Sequence, residues 1–235
     1  MNEQRLDSFS AYAGAGAGTS VAERNRVLRN TYWLLAVSLV PTVLGAWVGV
    51  ATGVMAAMGT GLSMALLFGG AFGFMYAIEK TKNSASGVYV LLAFTFFMGL
   101  MLSRMLGMVL GFKNGTTLIM TAFGGTAGVF FAMATLATVI KRDLSKMGSY
   151  LFVGALVLIG VGVVNALFVH SPMLMAAMAA MAILVFSAYL LYDVRRIIDG
   201  GETNYISATL AIYLDLFNIF QSLLALLGIF GGDRD

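Results

Sequence analysis

Three ionisable residues, Arg104, Asp193 and Asp215, fall inside runs of otherwise apolar sequence, and these are the side chains whose types could do chemistry. A charge near the centre of a bilayer costs roughly 2.5 to 3.5 kcal/mol on insertion scales, so such residues are paired, protonated or turned toward a wet cavity. Asp215 lies about ten residues into its run. Asn204, Ala208, Ala211, Asn218 and Ser222 recur around it at helical spacing, a small and polar stripe expected to face the interior of a bundle. Asp193 is followed at once by Arg195 and Arg196, which leaves two readings: an interfacial carboxylate balancing two arginines, or a functional carboxylate within its span. Arg104 also has two, a side chain that snorkels outward or a counter-ion to Asp215.

The elements that must position these residues follow from composition. The chain is 60% apolar and 11% charged, against roughly a quarter charged in an ordinary soluble domain. The apolar residues fall in runs of about 20, the length that crosses a hydrocarbon layer of roughly 30 Å. No cysteine is present, which excludes disulfides, thiol catalysis and thiolate metal sites, and the single histidine, His170, argues against an all-histidine metal site or a serine triad. The pI of 9.2 does not indicate a nucleic-acid partner, because the basic residues form no single patch.

Residues 1–28 are polar and contain the low-complexity stretch AYAGAGAGTS, which reads as a disordered cytosolic tail ahead of a transmembrane domain over 29–235. The tail lacks the apolar segment and cleavage site of a secretory signal. Seven spans are expected, at about 33–54, 58–78, 87–110, 116–140, 148–169, 173–195 and 205–230. The first two are divided at MAAMGTG, since a merged span is too long for one helix. Eleven of the 14 Lys and Arg residues lie in the tail and the second, fourth and sixth connectors, leaving Lys113 and Arg234 for the opposite side. This pattern predicts seven spans with the amino terminus in the cytosol and the carboxyl terminus outside.

Glycines at four-residue spacing, Gly45 with Gly49 and Gly53, Gly69 with Gly73, Gly107 with Gly111, and Gly124 with Gly128, share one face in each of four spans. They are expected to let neighbouring helices approach closely in lipid. They are not a phosphate cradle, which needs glycines between a strand and a helix start. The methionines and most aromatics read as packing or lipid-facing, with Tyr32 and Trp33 suited to an interfacial belt.

VLRNTYWLL before the first span, AFGGTAGVFF in the fourth, KRDLSKMG after it, and GGETNYI leading into YLDLFNIFQSLLALLGIF resemble the bacterial YccA branch of the Bax-inhibitor (transmembrane Bax inhibitor motif) family. The resemblance covers nearly everything after the tail. It implies an all-α integral protein of the bacterial inner membrane, in which two three-helix layers wrap a central C-terminal helix. It also implies a pair of hydrogen-bonded aspartates that gates a calcium leak by pH, and Asp193 in LLYDVRRI and Asp215 in YLDLFNIF match those positions. Calcium is then a transported or bound ion, tentatively held by the pair, and no other cofactor is expected. A basic residue ending the second helix contacts the pair in such leaks, a place open to Lys80 or Lys82. Where relatives have Gly-Pro in the third helix this chain has Ser103-Arg104, a departure that adds positive charge.

Two functions from different classes follow. One is a pH-sensitive cation leak with Asp193 and Asp215 as proton sensor and Asn218 and Ser222 in support. The other is a non-conducting regulator that binds a membrane-bound AAA protease of the FtsH type. No paired catalytic groups point to an enzyme. The two aspartates are 22 positions apart on consecutive helices, and counting from their connector sets them about four residues out of level, roughly 6 Å at 1.5 Å per residue. Contact is expected from the resemblance and needs a tilt, a late helix start or a water. Carboxylates in contact cannot both ionise cheaply, so they share a proton.

Overall fold

Ser20 precedes Glu23 by three residues, and its hydroxyl accepts the Glu23 N–H at 3.2 Å, which starts the first helix, α1, at Val21. Residues 21–28, expected in the tail, are therefore helical. The computed structural model describes residues 20–233, and the rest of the tail, with Arg5, and the end at Arg234 lie outside them. α1 runs from Val21 to Thr52 and ends at Gly53, whose φ of 63° is the left-handed cap geometry that glycine adopts without strain. A short helical turn, Val54–Ala57, fills the expected break before α2 (Thr60–Thr81). The remaining helices are α3 (Ser86–Leu110), α4 (Gly115–Val139), α5 (Met147–Val164, continued by a π-helical turn Asn165–Val169), α6 (Pro172–Ile198) and α7 (Tyr205–Phe230).

These are seven helices long and apolar enough to cross a membrane, the shortest 22 residues, or about 33 Å. The chain is thus an all-α integral membrane protein. α1 has 32 residues, or about 48 Å, so its first turns stand beyond a hydrocarbon layer of roughly 30 Å. Bonds across the bundle identify its two ends. At the tail end, Arg24 donates to the Ile198 carbonyl and Asn204 to the Lys82 carbonyl. At the far end, Asn114 donates to the Gly231 carbonyl.

The closest packing is between α1 and α3. A Cβ on Gly45 would collide with the Phe96 carbonyl oxygen, one on Gly99 with the Thr42 carbonyl oxygen, and one on Gly49 with the Ser103 side chain. The other glycine pairs correct the expectation of a common packing role. Gly53, Gly69, Gly73, Gly107, Gly124 and Gly128 meet open space, and Gly111 meets only carbonyls of its own preceding turn. Spacing places glycines on one face without saying where that face points. In α2 the inward glycine is Gly70, against the Phe97 ring. Of the two belt aromatics, Trp33 is exposed, whereas Tyr32 packs edge-on against Phe130.

α7 touches α1, α2, α3, α4 and α6, while α5 packs on α6. In the most apolar window of each span, 44% of residues are buried in α3, 39% in α7 and 33% in α1, against 6% in α2 and α5. The core is therefore the α1, α3 and α7 junction, with Phe94, Leu91, Ile212 and Ile219 fully buried there.

Candidate functional site

Asn204 starts α7. Its side-chain oxygen accepts from the Ile206 and Ser207 N–H groups, and its amide donates to the Lys82 carbonyl and the Asn83 side chain at 2.9 Å each. One residue thus caps α7 and ties it to the α2–α3 connector. On the preceding helix, α6 ends at Ile198, where Gly200 (φ 80°) turns the chain toward α7. The hairpin sets Asp193 and Asp215 facing each other, with their carboxyl groups in hydrogen-bonding reach. Helix side chains lean toward the N-terminus of their own helix. Because α6 and α7 are antiparallel, Asp193 leans away from the connector and Asp215 toward it, which closes the offset that counting along the axes predicts.

Asp215 is 4% exposed, and apart from the facing Asp193 carboxyl its Oδ2 has no hydrogen-bond partner among the described residues. Asp193 is half-buried beside Arg196 and Glu202, themselves 3.7 Å apart. Arg195 turns away: it pairs with Asp199 at 2.8 Å and donates to the Ala137 carbonyl of α4, so only one of the two arginines expected to balance Asp193 is beside it. Tyr189, one turn before Asp193, lies within electrostatic range of both carboxyls. Asn218, one turn beyond Asp215, donates to the Leu214 carbonyl, and Ser222, a turn further, is half-buried.

The expected counter-ions stand elsewhere. Lys82 pairs with Glu79 at 2.6 Å and Lys80 lies over the Tyr76 ring, because both have closer partners on their own helix end. Arg104 donates to Met58, Thr60 and Ser63 at the far end. It stands 18 residues into α3 and Asp215 ten into α7, a difference in depth of about 12 Å. Among the described residues the basic neighbour of the pair is therefore Arg196, with Glu202 the acidic one.

A groove of about 200 Å³ opens at the tail end, lined by Leu144, Ser145, Tyr192, Arg195, Arg196, Asp199 and Gly201, with neither Asp193 nor Asp215 in its wall. The α4–α5 connector forms one wall. There the Asp143 carboxylate accepts from the Ser145 hydroxyl at 2.5 Å and the Ser145 N–H at 2.8 Å, and these bonds hold it below the ordinary carboxylate range.

A second buried polar cluster escaped sequence reasoning. The Tyr213 hydroxyl bonds with Thr42 Oγ1 at 2.9 Å and donates to the Thr95 carbonyl at 3.4 Å, joining α7, α1 and α3. Hydroxyls of Thr, Ser and Tyr give no signal in hydropathy. Tyr213 and Asp215 are two residues apart, about 200° around the helix, so they face opposite sides of α7.

Two carboxylates offer at most four oxygens, against the roughly six to eight that a calcium ion takes. Among the described residues no group of three or more His, Cys, Asp or Glu could hold a metal. The arrangement suits proton exchange, or a cation that keeps much of its water.

The family described as "Inhibitor of apoptosis-promoting Bax1" matches residues 24–232, a range that takes in all seven helices except the first residues of α1. The chain belongs to this family. Among relatives, a "Modulator of FtsH protease YccA" of Escherichia coli is 38% identical, over 92% of this chain and 95% of its own. An uncharacterized protein of Pseudomonas aeruginosa is 38% identical over 99% and 100%. An uncharacterized membrane protein of Vibrio cholerae is 37% identical over 88% and 91%. The resemblance read from VLRNTYWLL through LLALLGIF is thereby a shown membership, and the chain is a multi-pass protein of the bacterial inner membrane, close to YccA.

Proposed function

We propose that this protein is a non-enzymatic membrane regulator that binds and restrains an AAA protease of the FtsH type. The observation that carries the reading is the end-to-end likeness, 38% identity over 92% of the chain, to a relative whose name is modulator of that protease. In this reading the amino terminus is cytosolic and the carboxyl terminus outside, in keeping with the eleven basic residues of the tail and even-numbered connectors. α1, α2 and α3 form one layer and α4, α5 and α6 the other, with α7 between them. The contacts of α7 with both groups support this arrangement. The tail, reaching beyond the described residues, gives the protease an entry handle. Tagged full-length protein should co-purify with the protease from bacterial membranes and slow degradation of a membrane substrate. A protein that neither co-purifies nor changes that rate would sink the proposal.

A second reading is favoured by one observation, two contacting carboxyl groups inside a span with no other partner for Asp215 Oδ2 among the described residues. Here Asp193 and Asp215 share a proton and gate a cation leak, for calcium, with Asn218 and Ser222 along its path. Raising pH leaves two negative charges that repel each other and attract a divalent cation, so calcium affinity rises with pH. Calcium flux into liposomes across a pH series tests this. Flux abolished by Asp215→Asn supports it, and flux absent at every pH removes it.

A further inference from the structure

We propose that the cleft between the far ends of α1 and α3 binds the phosphate of a phospholipid headgroup through Arg104. This cleft holds about 360 Å³, and its lining includes Gly49, Gly53, Ser103, Arg104, Gly107 and Met108. That volume lies in the range of small-molecule sites, roughly 300 to 1,000 Å³. It stays open because Gly53 and Gly107 have no side chain to fill it, and a Cβ on either meets nothing within 4 Å.

Arg104 lines this cleft and is half-buried. Nη1 donates to the Met58 carbonyl and Ser63 Oγ, and Nη2 to Thr60 Oγ1, each at 3.4 Å. All three acceptors are neutral and at the outer limit of hydrogen-bond length. No carboxylate among the described residues forms an ion pair with Arg104. The contacts hold the guanidinium in place while leaving donors of its planar fork for a further acceptor. Phosphate, like carboxylate, is an anion whose oxygens match that fork in pairs, and at a membrane surface the phosphate of a lipid headgroup is the abundant one.

The surroundings favour a lipid over free phosphate. Met108, which lines the cleft, is 60% exposed. Val54 (37%), next to the lining residue Gly53, Leu110 (46%), two residues after Met108, and Leu62 (62%), between Arg104's partners Thr60 and Ser63, are exposed apolar side chains on the same segments. Arg104 stands 18 residues into α3, about 27 Å along it, near one face of a hydrocarbon layer of roughly 30 Å. A headgroup phosphate at that level reaches the guanidinium while its acyl chains lie along Leu62 and Leu110.

The test is native mass spectrometry of the full chain in detergent, with dioleoylphosphatidylglycerol or dioleoylglycerol, which lacks the phosphate. The wild type should retain the phospholipid and not the diacylglycerol. Arg104→Gln removes the charge, and Gly107→Leu fills the cleft while keeping the charge and entering space that is open. Each should weaken phospholipid retention at least five-fold with helix content and melting temperature unchanged. Retention unchanged in either folded variant, or equal retention of dioleoylglycerol, overturns the proposal. Displacement of the phospholipid by equimolar inorganic phosphate assigns the cleft to a free anion and overturns the lipid assignment. If Arg104→Gln does not fold, Gly107→Leu and the two competitions decide.

Discussion

The Tyr213 cluster and the acid pair, on opposite sides of α7, handle buried polarity in opposite ways, although Thr31 on the α1 side also keeps a buried hydroxyl without a partner among the described residues. Toward α1 and α3, Tyr213 meets Thr42 and the Thr95 carbonyl, and the neighbouring seam is closed by Gly45 and Gly99 against backbone carbonyls. Each polar group in that cluster has a partner, and the space between the helices admits no extra atom. Toward α6, Asp215 meets another acid, and its Oδ2 has no other partner among the described residues. A satisfied polar cluster in a tight seam is a structural device, since its bonds stabilise one arrangement. An acid pair left short of partners stores a cost that protonation, a cation or water can relieve. One helix therefore carries a satisfied polar cluster on one side and a buried acid pair on the other.

The largest expected effect breaks the structural side. Gly45→Leu places side-chain atoms where the Phe96 carbonyl stands, and backbone cannot yield as a flexible side chain can. Stability should fall by more than about 3 kcal/mol, read as loss of folded protein after detergent extraction or a large drop in melting temperature. Gly124→Leu, on a face where a Cβ meets open space, should stay within about 0.5 kcal/mol of the wild type. Equal damage from both substitutions would remove the distinction between seam and lipid face.

This contrast also marks what could be read from residues alone. The seven spans were legible because a run of about 20 apolar residues has few other uses, and the break at MAAMGTG was legible because a merged span is too long for one helix. The direction of a helix face was not. Gly45–Gly49 and Gly124–Gly128 have the same spacing, yet one pair is at the seam and the other outside. The start of α1 at Val21 was readable from Ser20 and Glu23, a capping pattern obscured by the low-complexity stretch before it. Arg104 was sorted correctly as interior to an apolar run, but its partners Met58, Thr60 and Ser63 belong to a connector and a first turn more than 40 positions away. The Tyr213–Thr42 bond joins residues 171 apart, a pairing that only the packed bundle defines.

A smaller pair of effects compares the two sides directly, with opposite sign. Tyr213→Phe deletes a hydroxyl bonded to Thr42 and Thr95 and should cost about 1 kcal/mol, with Thr42→Val adding little once the hydroxyl is gone. Asp215→Asn replaces one acid of a buried pair by a neutral group that can donate to Asp193, so thermal stability at neutral pH should be unchanged or raised. Equal losses from both variants would mean that the acid pair is an ordinary structural contact.

The smallest effect concerns the wall of the groove, where Asp143 holds the α4–α5 connector through the Ser145 hydroxyl and N–H. These bonds lower the carboxyl below its usual value of 3.8. A group whose folded value is depressed stabilises the turn above its unfolded value and loses that contribution as pH falls through the folded one. The turn is therefore fully supported at pH above about 4 and weakens only below that. Asp143→Ala should raise the rate of tryptic cleavage after Lys141 and Arg142 a few-fold at pH 8 while leaving the melting temperature unchanged, because the carboxylate is on the surface. In the wild type, cleavage corrected for the protease's own pH profile should show no step between about pH 6 and 9. A step in that range would mean that the connector responds to a titration elsewhere. If Asp193→Asn and Asp215→Asn each abolished that step, the acid pair would be its source, and the acid-bearing side of α7 would be coupled to the α4–α5 connector.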